Sequence, residues 1–158
     1  LVCARSGNLL RADELLARGL ELDPGRPDLL GTRAMVLWQL GRAREAQALG
    51  RRAADLAPGN ADVLNQLAWM LAVAPDPANR DPEEAIRLAT EADRLASQSN
   101  PQYLDTLAAA LAAAGHYEDA EQTAQRALEM SAAAPDSFKR GIRERLALYR
   151  TGRAYVEP

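Results

Sequence analysis

The chain of 158 residues is 47% hydrophobic and 26% charged, which is ordinary for one globular domain and excludes extensive disorder. Its net charge of −3 lacks the basic footprint that nucleic-acid binding requires, and no apolar run is long enough to insert directly into a bilayer. Cys3 is the only cysteine and permits no internal disulfide, so bacterial cytoplasm and periplasm both remain open.

Catalytic chemistry is not expected from these residues. His116 is the only histidine, so neither a histidine metal cluster nor a Ser/His/Asp or Cys/His set is available. A phosphate-binding glycine loop is also missing. The sequence therefore predicts a protein that is not an enzyme and that has no catalytic residue, no cofactor and no metal site.

The first part of the chain repeats with a period of 34 residues. The landmarks Gly7, Ala12, Gly19 and Pro24 recur as Gly41, Ala46, Ala53 and Pro58. Such a period is typical of stacked helical hairpins, each too short to bury its own apolar face. In this register Gly7 falls at the turn within a hairpin, so the chain is expected to open in mid-helix, with part of the first repeat missing upstream.

The third unit carries five extra residues between its helices. The register continues through Ala85 and Ala120, but the step from Ala46 to Ala85 is 39 residues. The loop 75–80 is interpreted either as a contact element at one edge or as a longer turn that adjusts stacking. After it, Asp81 suits an N-cap, Pro82 the first helical position, and Glu84 a capping box.

Apolar residues at spacings of three and four place one face of every helix in a common core. We predict one domain over 1–158. It consists of a truncated first repeat (1–25), a repeat (27–59), a repeat with the insertion (61–99), a further repeat (101–134), a capping helix (136–150) and a tail (151–158). The capping helix has an apolar stripe opposite a basic face, which is typical of the solvated end of a solenoid.

This pattern resembles the tetratricopeptide repeat (TPR) family over roughly residues 1–134. The resemblance rests on the period, the alanines of both helices, the mid-unit glycines Gly41 and Gly115 and the terminal prolines, although Gly50 stands where a large apolar residue is usual. It implies an all-α, right-handed solenoid of stacked antiparallel helix pairs. The stretches VLNQLAWMLAV, YLDTLAAALAAAGHYEDA and RLALYRTGRAY also resemble the C-terminal repeat region of bacterial multidomain proteins.

The resemblance further implies a concave surface lined by the first helices of the pairs. Helix geometry then turns a small set of side chains away from the core, and these are the predicted partner-binding residues: Trp69, Asn65, Asp62, Trp38, Met35 and Asp105. Trp69 is the predicted anchor, because large aromatic side chains dominate many interfaces. Either tryptophan could instead fill space between units, and the aspartates could instead serve helix starts.

The leading functional hypothesis is a scaffold or adaptor that binds a protein or peptide segment on this concave surface. A second hypothesis is a structural module that self-associates through its end faces as a homo-oligomer. The third is an accessory C-terminal part of a larger membrane-associated enzyme, with the catalysis elsewhere.

Overall fold

The computed structural model describes residues 2–157, with side chains from residue 7 onward. Over that range the chain contains α-helices, one short 3-10 helix at Pro77–Asn79 and no strand. The α-helices are α1 (Val2–Leu22), α2 (Pro27–Gln39), α3 (Ala43–Leu56), α4 (Ala61–Val73), α5 (Pro82–Leu95), α6 (Pro101–Ala113), α7 (Tyr117–Met130) and α8 (Asp136–Tyr149).

Successive helices pack as antiparallel pairs that stack into a right-handed α-solenoid. Three pairs, α2 with α3, α4 with α5 and α6 with α7, have the most extensive contacts. Helices α2, α4, α6 and α8 also contact one another in sequence, so they form a continuous wall. This arrangement confirms the predicted all-α repeat architecture with a capping helix.

Small side chains bring neighbouring helices into close contact. The alanines predicted to face the core are buried to 1% exposure or less: Ala34, Ala46, Ala53, Ala68, Ala85, Ala92, Ala108, Ala120, Ala124 and Ala127. Leucines such as Leu30, Leu37 and Leu67 fill the space between these contacts. At the end of the array, Ile142, Leu146 and Tyr149 bury the apolar stripe of α8, while Arg140 and Arg143 are exposed.

Helices α2, α6 and α8 end in the same kind of turn. Gly41, Gly115 and Gly152 have φ values of +75°, +85° and +67°, a region that side chains disfavour. In each turn the next residue donates its amide to a carbonyl five positions earlier, as His116 does to Leu111. The sequence predicts the turns at Gly41 and Gly115; the matching turn at Gly152 directs residues 153–157 back toward the wall.

The insertion is a compact turn anchored to its neighbours. Gln47 donates through Nε2 to the carbonyls of Met70 and Asn79, at 3.0 and 2.8 Å. The predicted start of α5 is confirmed. Asp81 is the N-cap and accepts a hydrogen bond from the Glu84 amide at 3.1 Å, and Pro82 is the first helical residue. The expected capping box is only half formed, because the Glu84 carboxylate bonds Arg51 at 2.6 Å instead.

One local expectation from the repeat register is wrong. Helix α1 runs unbroken from Val2 to Leu22, whereas alignment of Gly7 with Gly41 placed a turn there. Gly7 is exposed, and the turn at Gly41 depends on a positive φ that Gly7 does not adopt. The glycine match alone therefore did not predict a helix end.

Gly50 tests how closely α3 and α4 approach. A Cβ atom added to it would lie 3.2 Å from Leu67 Cδ1, so the site has no room for the large apolar residue usual at this repeat position. We expect Gly50→Leu to lower the free energy of unfolding by about 1–3 kcal/mol through overpacking. The exposed Ala48→Leu on the same helix should change it by less than about 0.5 kcal/mol. Urea denaturation measures both, and a Gly50→Leu chain of native stability would contradict the close approach.

Candidate binding groove

A groove runs along the wall formed by α2, α4, α6 and α8. It contains a cavity of about 530 Å³ whose lining includes the sequence-predicted residues Met35, Asn65, Trp69 and Asp105. Trp38 and Asp62, also predicted, are not in the lining of this cavity. Helix α8 contributes Phe138 and Arg145 from the opposite side. The capping helix is thus part of the groove.

Asn65 belongs to the lining of this cavity but has a buried, unpaired oxygen. The residue is 4% exposed, and its Oδ1 atom has less than 1 Å² of accessible surface and no hydrogen-bond partner among the described residues. A buried acceptor without a donor is costly, typically about 1–3 kcal/mol. The oxygen lies behind the cavity surface and is not open to a ligand in this conformation.

Arg145 forms the strongest ionic contact in the groove. Its guanidinium makes two parallel hydrogen bonds to Asp105, with Nε 2.9 Å from Oδ1. The two side chains are only 13% and 6% exposed. Burial raises the pKa of Asp105 above its usual range, although the Arg145 charge opposes that shift.

Both tryptophans of the chain bind one carboxylate. The indole Nε1 atoms of Trp38 and Trp69 donate to the same Glu157 oxygen, at 2.8 and 3.0 Å. Trp38 is 9% exposed, so its ring is buried, whereas Trp69 is half-buried. Both rings pack against the core, as the space-filling alternative expected, and both N–H groups bind Glu157. The role of Trp69 as a partner anchor stays a prediction.

Tyr155 extends this aromatic group. Its ring lies 6.0 Å from that of Trp69 at an interplanar angle of 37°. The Arg145 guanidinium is 5.3 Å from the Trp69 ring centroid and 5.5 Å from that of Tyr155, within reach of cation–π attraction. One cation therefore links the two aromatic rings to the buried Asp105 carboxylate.

The predicted aspartates are engaged within the chain. The Tyr103 hydroxyl donates to Asp62 Oδ1 at 2.7 Å, and burial raises the pKa of Tyr103 to about 12, so the donor keeps its proton. Asp105 is paired with Arg145. These carboxylates therefore give no argument for a basic partner.

Among the groove residues that sequence reasoning did not assign to the site are Phe138, Arg145, Tyr155 and Glu157. A signal existed for Arg145, because it lies three residues after Ile142 and four before Tyr149, on the buried stripe of α8 rather than on its basic face. Tyr155 and Glu157 follow the helix in an irregular segment, where helical spacing carries no information.

The fold is an all-α helical repeat of the tetratricopeptide-like kind. Similar solved structures are a crystal structure of MamA protein and a structure described as MamA MSR-1 C2. The first is 13% identical, covers 94% of this chain and 82% of that one, and has a TM-score of 0.68. The second is 22% identical, covers 84% and 72%, and has a TM-score of 0.64. No protein-family model and no curated protein matches the sequence.

No helix between residues 2 and 157 is both long and apolar enough to cross a membrane. The same part of the chain contains no group of three or more His, Cys, Asp or Glu residues arranged to hold a metal ion.

The Arg145–Asp105 pair leads to a prediction about stability and its pH dependence. We expect Arg145→Met to lower the free energy of unfolding by about 3 kcal/mol at pH 7, because it leaves a buried carboxylate unpaired. Without Arg145, the folded-state pKa of Asp105 rises further above its ordinary value of 3.8. The folded variant then binds a proton more readily than the unfolded one. Its deficit is therefore smallest in acid and grows as the pH rises toward that pKa.

Urea denaturation over a pH series measures this effect. The double variant Arg145→Met/Asp105→Asn is the control, and it should be more stable than the single variant at pH 7 because no buried charge remains. A single variant that loses stability relative to the native chain on acidification would contradict the assignment.

Proposed function

We propose that the chain is a protein-interaction module, in a scaffold or adaptor role, that binds an extended peptide segment in the groove of α2, α4, α6 and α8. The observation that carries the proposal is the cavity lined by the half-buried Trp69 together with Met35 and Phe138. An apolar cavity with a few fixed polar groups is typical of a binding site.

Each side of the cavity has a distinct role in this proposal. Trp69, Met35 and Phe138 provide apolar contact for a ligand side chain. Asp105 holds Arg145 against the aromatic rings and has no free charge of its own to offer.

The array supports this mode of binding because its wall is rigid. The helices that carry Met35, Asn65 and Asp105 are fixed by buried alanine contacts, so little conformational entropy is lost when a ligand is positioned. An extended segment also matches the length of a groove that crosses four helices.

A second candidate is self-association through the end face at α1, which is favoured by exposed apolar side chains there. Leu10, Leu15 and Leu22 are 53%, 52% and 89% exposed. This candidate predicts that the molar mass of the native chain, measured by light scattering, increases with protein concentration. The double variant Leu10→Gln/Leu15→Gln should show no such increase. The third hypothesis also stays a prediction, namely that this chain is an accessory C-terminal part of a larger bacterial protein with an enzymatic or membrane-associated portion. The predicted domain limits and the compartment stay predictions as well.

Trp69→Ala tests the groove. Peptides selected from a displayed random library against the native chain should lose about 2 kcal/mol of binding free energy, or roughly 30-fold in Kd, when the anchor ring is removed. Thr90→Ala, an exposed change on α5, is the matched control and should leave Kd unchanged. Isothermal titration calorimetry gives the values, and selected peptides that bind Trp69→Ala as tightly as the native chain would overturn the groove proposal.

A further inference from the structure

Residues 153–157 lie in the groove like a bound peptide. The turn at Gly152 ends α8 and reverses the chain. The Glu157 amide then donates to the carbonyl of Val73, at the last residue of α4, at 3.0 Å. Carbonyls at a helix end lack partners within the helix, so this main-chain bond is one that any peptide with a free N–H group could make.

Two residues of this segment, Tyr155 and Glu157, face the groove. They are partly buried and contact the tryptophans, whereas Val156 between them is 37% exposed. The alternation begins at Tyr155, because Arg153 is exposed and Ala154 packs against the core. An extended chain presents every second side chain to the same face, so two side chains provide the side-chain recognition.

The carboxylate receptor consists of neutral donors. Glu157 Oε2 accepts from the two indole N–H groups, and both bonds are partly buried. Indole nitrogen can only donate, so these two groups together require an acceptor and suit an anionic one. Tyr155, two residues before Glu157, provides the second contact. Its ring packs against the Trp69 ring and lies under the Arg145 guanidinium.

Trp69, which binds the Glu157 carboxylate, and Arg145, which lies over the Tyr155 ring, also line the open cavity. A ligand that uses either side chain fully must therefore meet the segment already there. The segment is held by one main-chain bond, by two indole bonds to one carboxylate oxygen, and by packing of Ala154 and Tyr155 against the core. A ligand that displaces the segment must replace these contacts.

We propose that Tyr155–Val156–Glu157 is an internal ligand of the groove, and that the external partner is a peptide segment with an aromatic residue two positions before a side-chain carboxylate, which displaces it. This inference rests on the proposed function and adds the chemistry of the partner to it. The internal segment limits binding to ligands that compete successfully for the two indoles.

The first test observes the two indole N–H resonances of the full chain by NMR, since Trp38 and Trp69 are the only tryptophans. Glu157→Ala should shift both resonances, because both lose the same acceptor. Glu129→Ala removes an equal charge from an exposed site on α7 and should shift neither. Unchanged indole resonances in Glu157→Ala would overturn the proposal, as would native resonances that move with protein concentration, which would mean exchange between copies.

The second test uses the acetylated and amidated peptide RAYVE, which copies residues 153–157. Calorimetric titration should give at least about tenfold tighter binding to Glu157→Ala than to the native chain, because the groove is then more often vacant. The peptides RAAVE and RAYVQ should bind Glu157→Ala more weakly than RAYVE does. Equal affinity of RAYVE for the native chain and Glu157→Ala would overturn the internal ligand.

These outcomes separate the two proposals. Library-selected peptides that depend on Trp69, yet bind the native chain and Glu157→Ala equally, would overturn the internal ligand and retain the peptide groove. Peptides that bind without dependence on Trp69 would overturn the proposed function, whatever the indole resonances show.

Discussion

The close contact of alanine-bearing helices is the constraint on which the structure depends. A hairpin of about 34 residues has an apolar face that it cannot cover alone, so it is stable only against a neighbour. Alanines at Ala34, Ala68 and Ala108, buried to 1% or less, set the spacing of successive first helices. Because the same spacing recurs along α2, α4 and α6, those helices form one wall, and side chains turned away from the core line a common groove.

The electrostatics of that groove are mostly satisfied within the chain. Asp62 accepts from Tyr103, Asp105 pairs with Arg145, and Arg145 lies over two aromatic rings. What remains at the groove surface is apolar and aromatic area, together with two indole donors that Glu157 now uses. Under the proposed function, recognition therefore depends on shape and on neutral hydrogen-bonding groups more than on net charge.

The architecture could be predicted from the sequence because periodicity and small-residue packing are local signals that repeat. The position of Met35, Asn65, Trp69 and Asp105 on the wall followed from the family resemblance, which implied the wall, together with helix geometry, which selected the side chains. Their partners could not be predicted in the same way. Arg145 reaches Asp105 across 40 residues, and Glu157 reaches Trp69 across 88, so both contacts depend on how the last helix and the segment after it fold back. The error at Gly7 has the opposite origin, since a matching residue type did not bring with it the φ angle that makes a turn.

The hydrogen bond between Trp38 and Glu157 spans 119 residues, whereas a stacked array normally makes contacts only between adjacent units. Local hairpins form quickly, but a contact of this separation must wait until a long loop has closed. During synthesis from the N-terminal end, α2 to α5 would therefore stack before residue 157 leaves the ribosome. The nascent molecule passes through a stage in which both indoles are without their acidic partner, and that stage is when another chain meets the least competition.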